Sequence, residues 1–276
     1  MRIRVVTLLL LILSITITTS GQHLRRPVPS NYTGLGAYSL THTDVFSFTS
    51  NQASLAQLKN ASAGVYAEQR YFLEELNSYT AAFGLPTQSG SFGLKINYYG
   101  FSDYNETQLG LAYARKLGTK VDLGAQFNYN GIRIAGYGND AAVSFEIGTV
   151  LHLTEKLHAG IHINNPVGGK FGKDQQEKIA SVYTFAMGFE PSEKFFLSTE
   201  IVKEQDQPVN VNAGLQYKFL SRLLARAGIS TTTSTTFIGV GLFLKSFRID
   251  VTTSIHSQLG ITPGIMLVYN FKSEEK

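Results

Sequence analysis

The chain has 276 residues, no Cys and no Trp, and its aromatic residues, 12% of the total, are all Phe and Tyr. A formal net charge of +4, reduced to +2 when Arg2 and Arg4 are set aside with the leader described next, is too balanced to suggest a nucleic-acid partner. Without Cys there is no disulfide framework and no lipid-anchored cysteine, so hydrogen bonds and packing must hold the fold.

Arg2 and Arg4, the apolar stretch 5–17 and the small residues 18–21 have the three-part layout of a secretory signal peptide, with cleavage expected before Gln22. Residues 1–21 are therefore read as signal peptide. The apolar core is too short for the ~20 residues of a spanning helix, and no later run reaches 18 apolar residues, which excludes a helical membrane protein. A mean hydropathy of -0.01 suits a barrel whose strands alternate apolar and polar residues, though a soluble β-protein gives the same value.

Residues 22–60 do not alternate. Gly34 and Gly36 lead to a segment over 44–58 whose apolar Val45, Phe48, Ala53, Leu55 and Leu58 suggest a short helix and turns. In a wide barrel the lumen holds water unless something fills it. This segment is the expected plug, near the periplasmic mouth.

From 61 to 271 the sequence is a succession of period-two runs. Val121, Leu123, Ala125, Phe127 and Tyr129 share one face, opposite Asp122, Gly124, Gln126, Asn128 and Asn130. Strands are placed at 61–72, 76–85, 90–101, 104–117, 119–133, 141–153, 157–164, 179–190, 194–203, 208–220, 222–231, 235–245, 247–256 and 258–271. Alternation alone does not separate a soluble sandwich from a barrel. Strand length and connections do: these runs match the ~9 to 11 residues that cross a bilayer at a tilt, and short turns alternate with longer loops, as at the two rims of an outer-membrane barrel. The expected fold is thus all-β, a transmembrane antiparallel β-barrel of about fourteen strands in the bacterial outer membrane, in contact with its lipid. Both termini are expected in the periplasm, with 272–276 a frayed tail.

Alternation turns Lys95, Asp122, Glu146, His152, His158, His162, Glu190, Glu200, Lys218, Arg226, Arg248, Asp250 and His256 inward. Both signs are mixed, which does not describe a pore selective for one charge. Pairing across the lumen and with the plug is expected, because a buried unpaired charge is costly. His158 and His162 are four strand residues apart, roughly 13 Å at ~3.3 Å per residue, too far to share one ion; no metal or other cofactor is expected. Neither a Gly-x-Ser-x-Gly elbow nor a phosphate-binding glycine loop is present, so an enzyme is not expected. The loop over 165–178, with Lys170, Phe171 and Lys173, is the longest outward loop and the candidate for partner contact.

The stretch Gly34, Gly36, then Asp44, then Asn51, Ala53 and Leu55 resembles the N-terminal hatch of the FadL fatty-acid transporter superfamily, specifically its PorV and PorQ branch. That branch has an Asn-Pro-Ala-x-Leu motif; here Gln52 stands in place of Pro, removing the rigid turn that Pro supplies. The resemblance implies a fourteen-stranded barrel, and either passage of hydrophobic solutes or a role beside a protein-secretion machine. The resulting expectation is a non-enzymatic accessory or docking component of type IX-like secretion, contacting secretion components or exported cargo. The alternative is a transporter of hydrophobic small molecules, with apolar Val150, Val202, Met266 and Val268 facing inward; a hydrolase at the rim is a remote third.

Overall fold

The structure, a computed structural model, describes residues 35–171, 177–232 and 234–271, with backbone only for 177 and 178. The leader, Gly34, Lys173 and the tail 272–276 lie outside the described residues.

Fourteen antiparallel strands close into a barrel. In chain order they are β1 (Ser62–Gln69), β2 (Asn77–Thr87), β3 (Gly90–Gly100), β4 (Tyr104–Leu117), β5 (Val121–Ile134), β6 (Gly138–His152) and β7 (Leu157–Asn164), then β10 (Val182–Ser192), β11 (Phe195–Glu204), β12 (Asn210–Leu220), β13 (Leu223–Ser230), β14 (Thr235–Leu244), β15 (Phe247–His256) and β16 (Gly260–Asn270). Between β7 and β10, β8 (Lys170–Phe171) and β9 (Glu177–Lys178) form a separate two-stranded sheet. Each barrel strand pairs with its chain neighbour, β7 meets β10, and β16 closes on β1 with Ser62 opposite Asn270 and Glu68 opposite Gly264. Closure leaves the fourteen barrel strands without an unpaired edge.

The side-chain alternation runs opposite to that of a soluble sheet. In β5, Asp122, Gly124, Gln126, Asn128 and Asn130 are shielded inside, while Leu123, Phe127 and Tyr129 are exposed outside. Asn128 is fully buried and Tyr129 beside it is 50% exposed. The same pattern recurs in β4, β6, β10 and β12, giving an outer surface of Leu, Ile, Val, Phe and Tyr. Water would not tolerate such a surface around the whole molecule; hydrocarbon would. Aromatic rings meet at the rim of the short turns, where Phe195, Tyr217 and Phe219 pack edge to face, as do Tyr269 and Phe271.

Strand ends fall within three residues of the positions read from the sequence. The first strand stops at Gln69, short of 72, because Tyr71 and Phe72 adopt left-handed φ of 55° and 59° and turn the chain out of the sheet. One candidate is corrected. Phe171, expected on the surface of the long loop, is 1% exposed and packs on Ala142, Ile179 and Ile132. The β8–β9 hairpin folds back so that this ring escapes water; Lys170 remains exposed.

Candidate functional site

Residues 35–58 lie inside the barrel. The chain turns at Gly36, whose φ of 79° favours glycine, then forms two short 3-10 turns, Ser47–Thr49 and Gln52–Gln57. These are tighter than the helix expected over 44–58. The segment has an apolar side and a polar side. On the apolar side Val45, Phe46, Phe48, Leu55 and Ala56 pack on Tyr66, Ala82, Ala112, Ala114, Met266 and Val268 of the wall. Val150 joins a second cluster with Ala37, Tyr38, Ala53 and Ala186, while Val202 is half-buried and outside both.

The fit depends on a feature that the alternation concealed, inward-facing glycines in strand after strand. A β-carbon at Gly148 would lie 2.1 Å from Asn51 Oδ1, one at Gly188 2.0 Å from the Tyr38 carbonyl oxygen, and one at Gly124 2.5 Å from the Ala53 nitrogen. Those positions must lack a side chain for the segment's backbone to reach the wall. In the sequence they stand among polar residues and read as part of a polar face; their recurrence at inward positions was the available signal.

Asn51 fixes the turn into the second 3-10 element. Its Oδ1 accepts from Ala53 N at 3.0 Å, and its Nδ2 donates to the carbonyls of Thr149 and Ile161, on β6 and β7, at 3.3 and 3.2 Å. That cap does the work of a proline at the next position. Gln52 is buried, and its Nε2 donates to Glu146 Oε2 at 2.6 Å. The residue that departs from the hatch motif is therefore a direct anchor to the wall. Ala53 and Leu55 are buried in the two apolar clusters.

The inward charges form three groups. Glu146 is the centre of the first: besides Gln52, it accepts from His162 Nε2 at 2.9 Å, Asn128 Nδ2 at 2.8 Å and Gln126 Nε2 at 3.1 Å, with Lys95 Nζ at 3.9 Å. Surrounding donors make a buried carboxylate tolerable. The second group joins Arg248 to Asp44 of the segment at 2.5 Å and to Asp250 at 2.8 Å, with Arg226 at 3.3 Å from Asp250. Two cations face two anions, so no charge is left over. Arg226 also donates to Gln216 Oε1 at 2.8 Å, and Gln216 Nε2 donates to His42 Nδ1 at 2.9 Å. His42 stacks on Phe196 with centroids 5.3 Å apart, and burial holds its imidazole below the ordinary value against the opposing pull of Glu190. Glu200 stands separately, accepting from Asn212 at 3.1 Å.

The third group runs along β5, β6, β7 and β10 at the short-turn rim. Asp122 Oδ2 accepts from Gln57 Nε2 at 2.6 Å and meets His152 Nε2 at 2.8 Å. His152 Nδ1 meets His158 Nδ1 at 3.0 Å, and His158 Nε2 meets Glu190 Oε1 at 2.7 Å. Glu190 in turn takes hydrogen bonds from Ser39 Oγ, Leu40 N and Thr41 Oγ1 of the segment. Ser, His and an acid do converge here, but the Ser39 hydroxyl is bound to the carboxylate, not to an imidazole that could take its proton, and Ser39 is 1% exposed. Nucleophilic catalysis needs the other arrangement and access to substrate. Spacing along one strand made His158 and His162 the pair to weigh; register across the hairpin instead sets His152 opposite His158.

These features define a closed antiparallel barrel with residues 35–58 packed inside its wall. Barrels of the same kind are found among solved structures. The Pseudomonas putida toluene transporter TodX is similar with a TM-score of 0.63 at 11% identity, covering 88% of this chain and 97% of that one. The Ralstonia pickettii toluene transporter TbuX gives 0.59 at 11% identity over 87% and 99%, and a Pseudomonas aeruginosa FadL homologue 0.60 at 10% over 87% and 96%. At these identities the likeness shows the fold. No family model matches the sequence, and no curated protein matches it.

Proposed function

We propose that this chain is an outer-membrane barrel that passes small hydrophobic molecules, with residues 35–58 as its hatch, the short-turn rim in the periplasm and no enzymatic activity. One observation carries the reading. The packed apolar cluster that holds Phe46 and Val45 meets the wall at small residues, Gly64 and Ala82. On the outer face the same two residues border a groove of roughly 340 Å3 with Val65, Phe83, Ile96 and Leu267. An apolar solute would meet hydrocarbon-like surface on both sides of β1 and β2, which suits a molecule that partitions into lipid. The transporters with similar barrels, two of them described as carrying toluene, support the same direction.

The test is uptake of labelled monoaromatics and long-chain fatty acids by cells lacking and then regaining the chain. Reduced uptake restored by complementation is the expected result. Unchanged uptake, with no apolar molecule bound to gently purified protein by mass spectrometry, would count against it.

A role as accessory component of type IX-like secretion, bound to secretion components or cargo, is the lesser reading. Its support is the Asn51, Ala53 and Leu55 motif. Repeated affinity capture from solubilised membranes would recover a secretion partner if it holds.

A further inference from the structure

The exposed charges are sorted between the two rims of the barrel. At the short-turn rim, the end of β4 and the turn after it carry Arg115, Lys116 and Lys120, and Lys59 lies just before β1. Lys156, Lys194, Arg222 and Lys245 occupy the turns that lead into β7, β11, β13 and β15. Among the described residues this rim exposes those eight bases against two acids, Glu155 and Glu193, each beside a Lys in its own turn. The long-loop rim exposes Arg133, Lys170 and Lys203 against five acids, Glu74, Glu75, Asp103, Asp140 and Asp206. One end of the barrel is strongly basic and the other is not.

The depth of these bases follows from the aromatic rings beside them. Arg115 comes two residues after Tyr113 on the outward face of β4, roughly 7 Å along the strand at ~3.3 Å per residue. Lys245 precedes by two residues Phe247, whose ring packs on Tyr269 with centroids 4.6 Å apart. The half-buried Lys218 places Nζ over the Phe243 ring at 5.1 Å. Rings at the ends of outward-facing strands lie at headgroup level. Cations just beyond them, on long apolar stems, stand among the phosphates.

We propose that the short-turn rim is a collar that binds the anionic headgroups of phospholipids in the leaflet it meets. The distribution of charge favours lipid over a soluble acidic partner. Lys156 and Lys194 are offset by the acids in their turns, so the surplus lies at the β4–β5, β12–β13 and β14–β15 turns. The first two of these are six strands apart in a ring of fourteen, nearly opposite each other. A protein docked on one sector meets one of them; a leaflet surrounds the barrel and meets all three. The collar requires a barrel embedded in lipid but is independent of the solute it passes. In the orientation proposed above, the leaflet is the periplasmic one.

The experiment is electron spin resonance on the folded chain in phosphatidylcholine vesicles, comparing spin-labelled phosphatidylglycerol with spin-labelled phosphatidylcholine in the immobilised lipid shell. At low salt phosphatidylglycerol should be favoured about fivefold, the factor that one cation beside an anionic surface supplies. The preference should approach one at about 1 M salt, where the screening length is ~3 Å. Replacing Arg115, Lys120, Arg222 and Lys245 together by Gln should abolish most of it, whereas Arg133→Gln with Lys203→Gln at the other rim should leave it in place. A wild-type ratio near one overturns the proposal, as does a preference that survives neutralisation of the collar or is lost equally from the other rim. Poly-glutamate bound at the basic rim without any lipid preference would assign the surface to a soluble acidic partner and also overturn it. If the four-site variant does not fold, the wild-type salt series and single substitutions at Arg115 and Arg222 decide.

Discussion

Arg248 on β15 donates from Nη2 to Asp44 Oδ2 at 2.5 Å, joining residues 204 positions apart in the chain. The same guanidinium holds Asp250 through Nε at 2.8 Å, so one side chain ties the N-terminal segment to the wall and neutralises a wall carboxylate. Arg248→Ala would take from Asp44 its ion pair with β15 and from Asp250 one of its two guanidinium partners. Breaking a buried pair from one side costs about 3 to 5 kcal/mol. The urea midpoint of the heat-modifiable folded band should drop accordingly, and Arg248→Lys, which cannot fork to two carboxylates, should fall between.

The glycine contacts give a prediction of a different kind. Gly148→Ala and Gly188→Ala each place a carbon inside the van der Waals shell of Asn51 or Tyr38 without disturbing a ladder hydrogen bond. The barrel should assemble and the segment should be displaced. Planar-bilayer conductance above wild type, with heat-modifiable migration retained, is the expected outcome.

Gln52 separates backbone from side-chain effects. Gln52→Ala removes a hydrogen bond to a buried carboxylate, worth about 1.5 to 3 kcal/mol. Gln52→Pro loses the same bond but suits the backbone: position 52 opens a 3-10 turn, and Asn51 before it is extended at φ -149°, ψ 117°. Pro should thus be no more destabilising than Ala, and about 0.4 to 1 kcal/mol better through the unfolded state. Paired urea titrations of the two variants check the order.

His42 predicts an acid-side loss of stability. Its folded value lies below the ordinary 6.5, so the unfolded chain binds the proton first as pH falls. The stabilisation is present above 6.5 and lost on acidification through and below it. His42→Gln should flatten the acid limb of the stability profile measured by urea unfolding between about pH 5 and 8.

Much of the barrel was legible because a strand carries its two faces in its own alternation. Asn128 and Tyr129 announce opposite sides whatever lies next to them. Turn residues marked the strand ends, except where Tyr71 and Phe72 take a backbone conformation that their side chains disfavour. The candidate site was less legible. Lys95, Glu146, Arg226, Arg248 and Asp250 could be placed inward, but alternation assigns a side chain to a face and says nothing of its partner.

By itself, then, the amino-acid order determined a barrel around a polar interior only through two-faced strands taken together with their length and the alternation of short turns with longer loops. Only the closed structure decided that Asp44 meets Arg248, that His152 meets His158, and that Gly148 yields its place to Asn51. Those contacts depend on strand register around the whole barrel and on the path of a segment with no period of its own. Neither is encoded within any single stretch of chain.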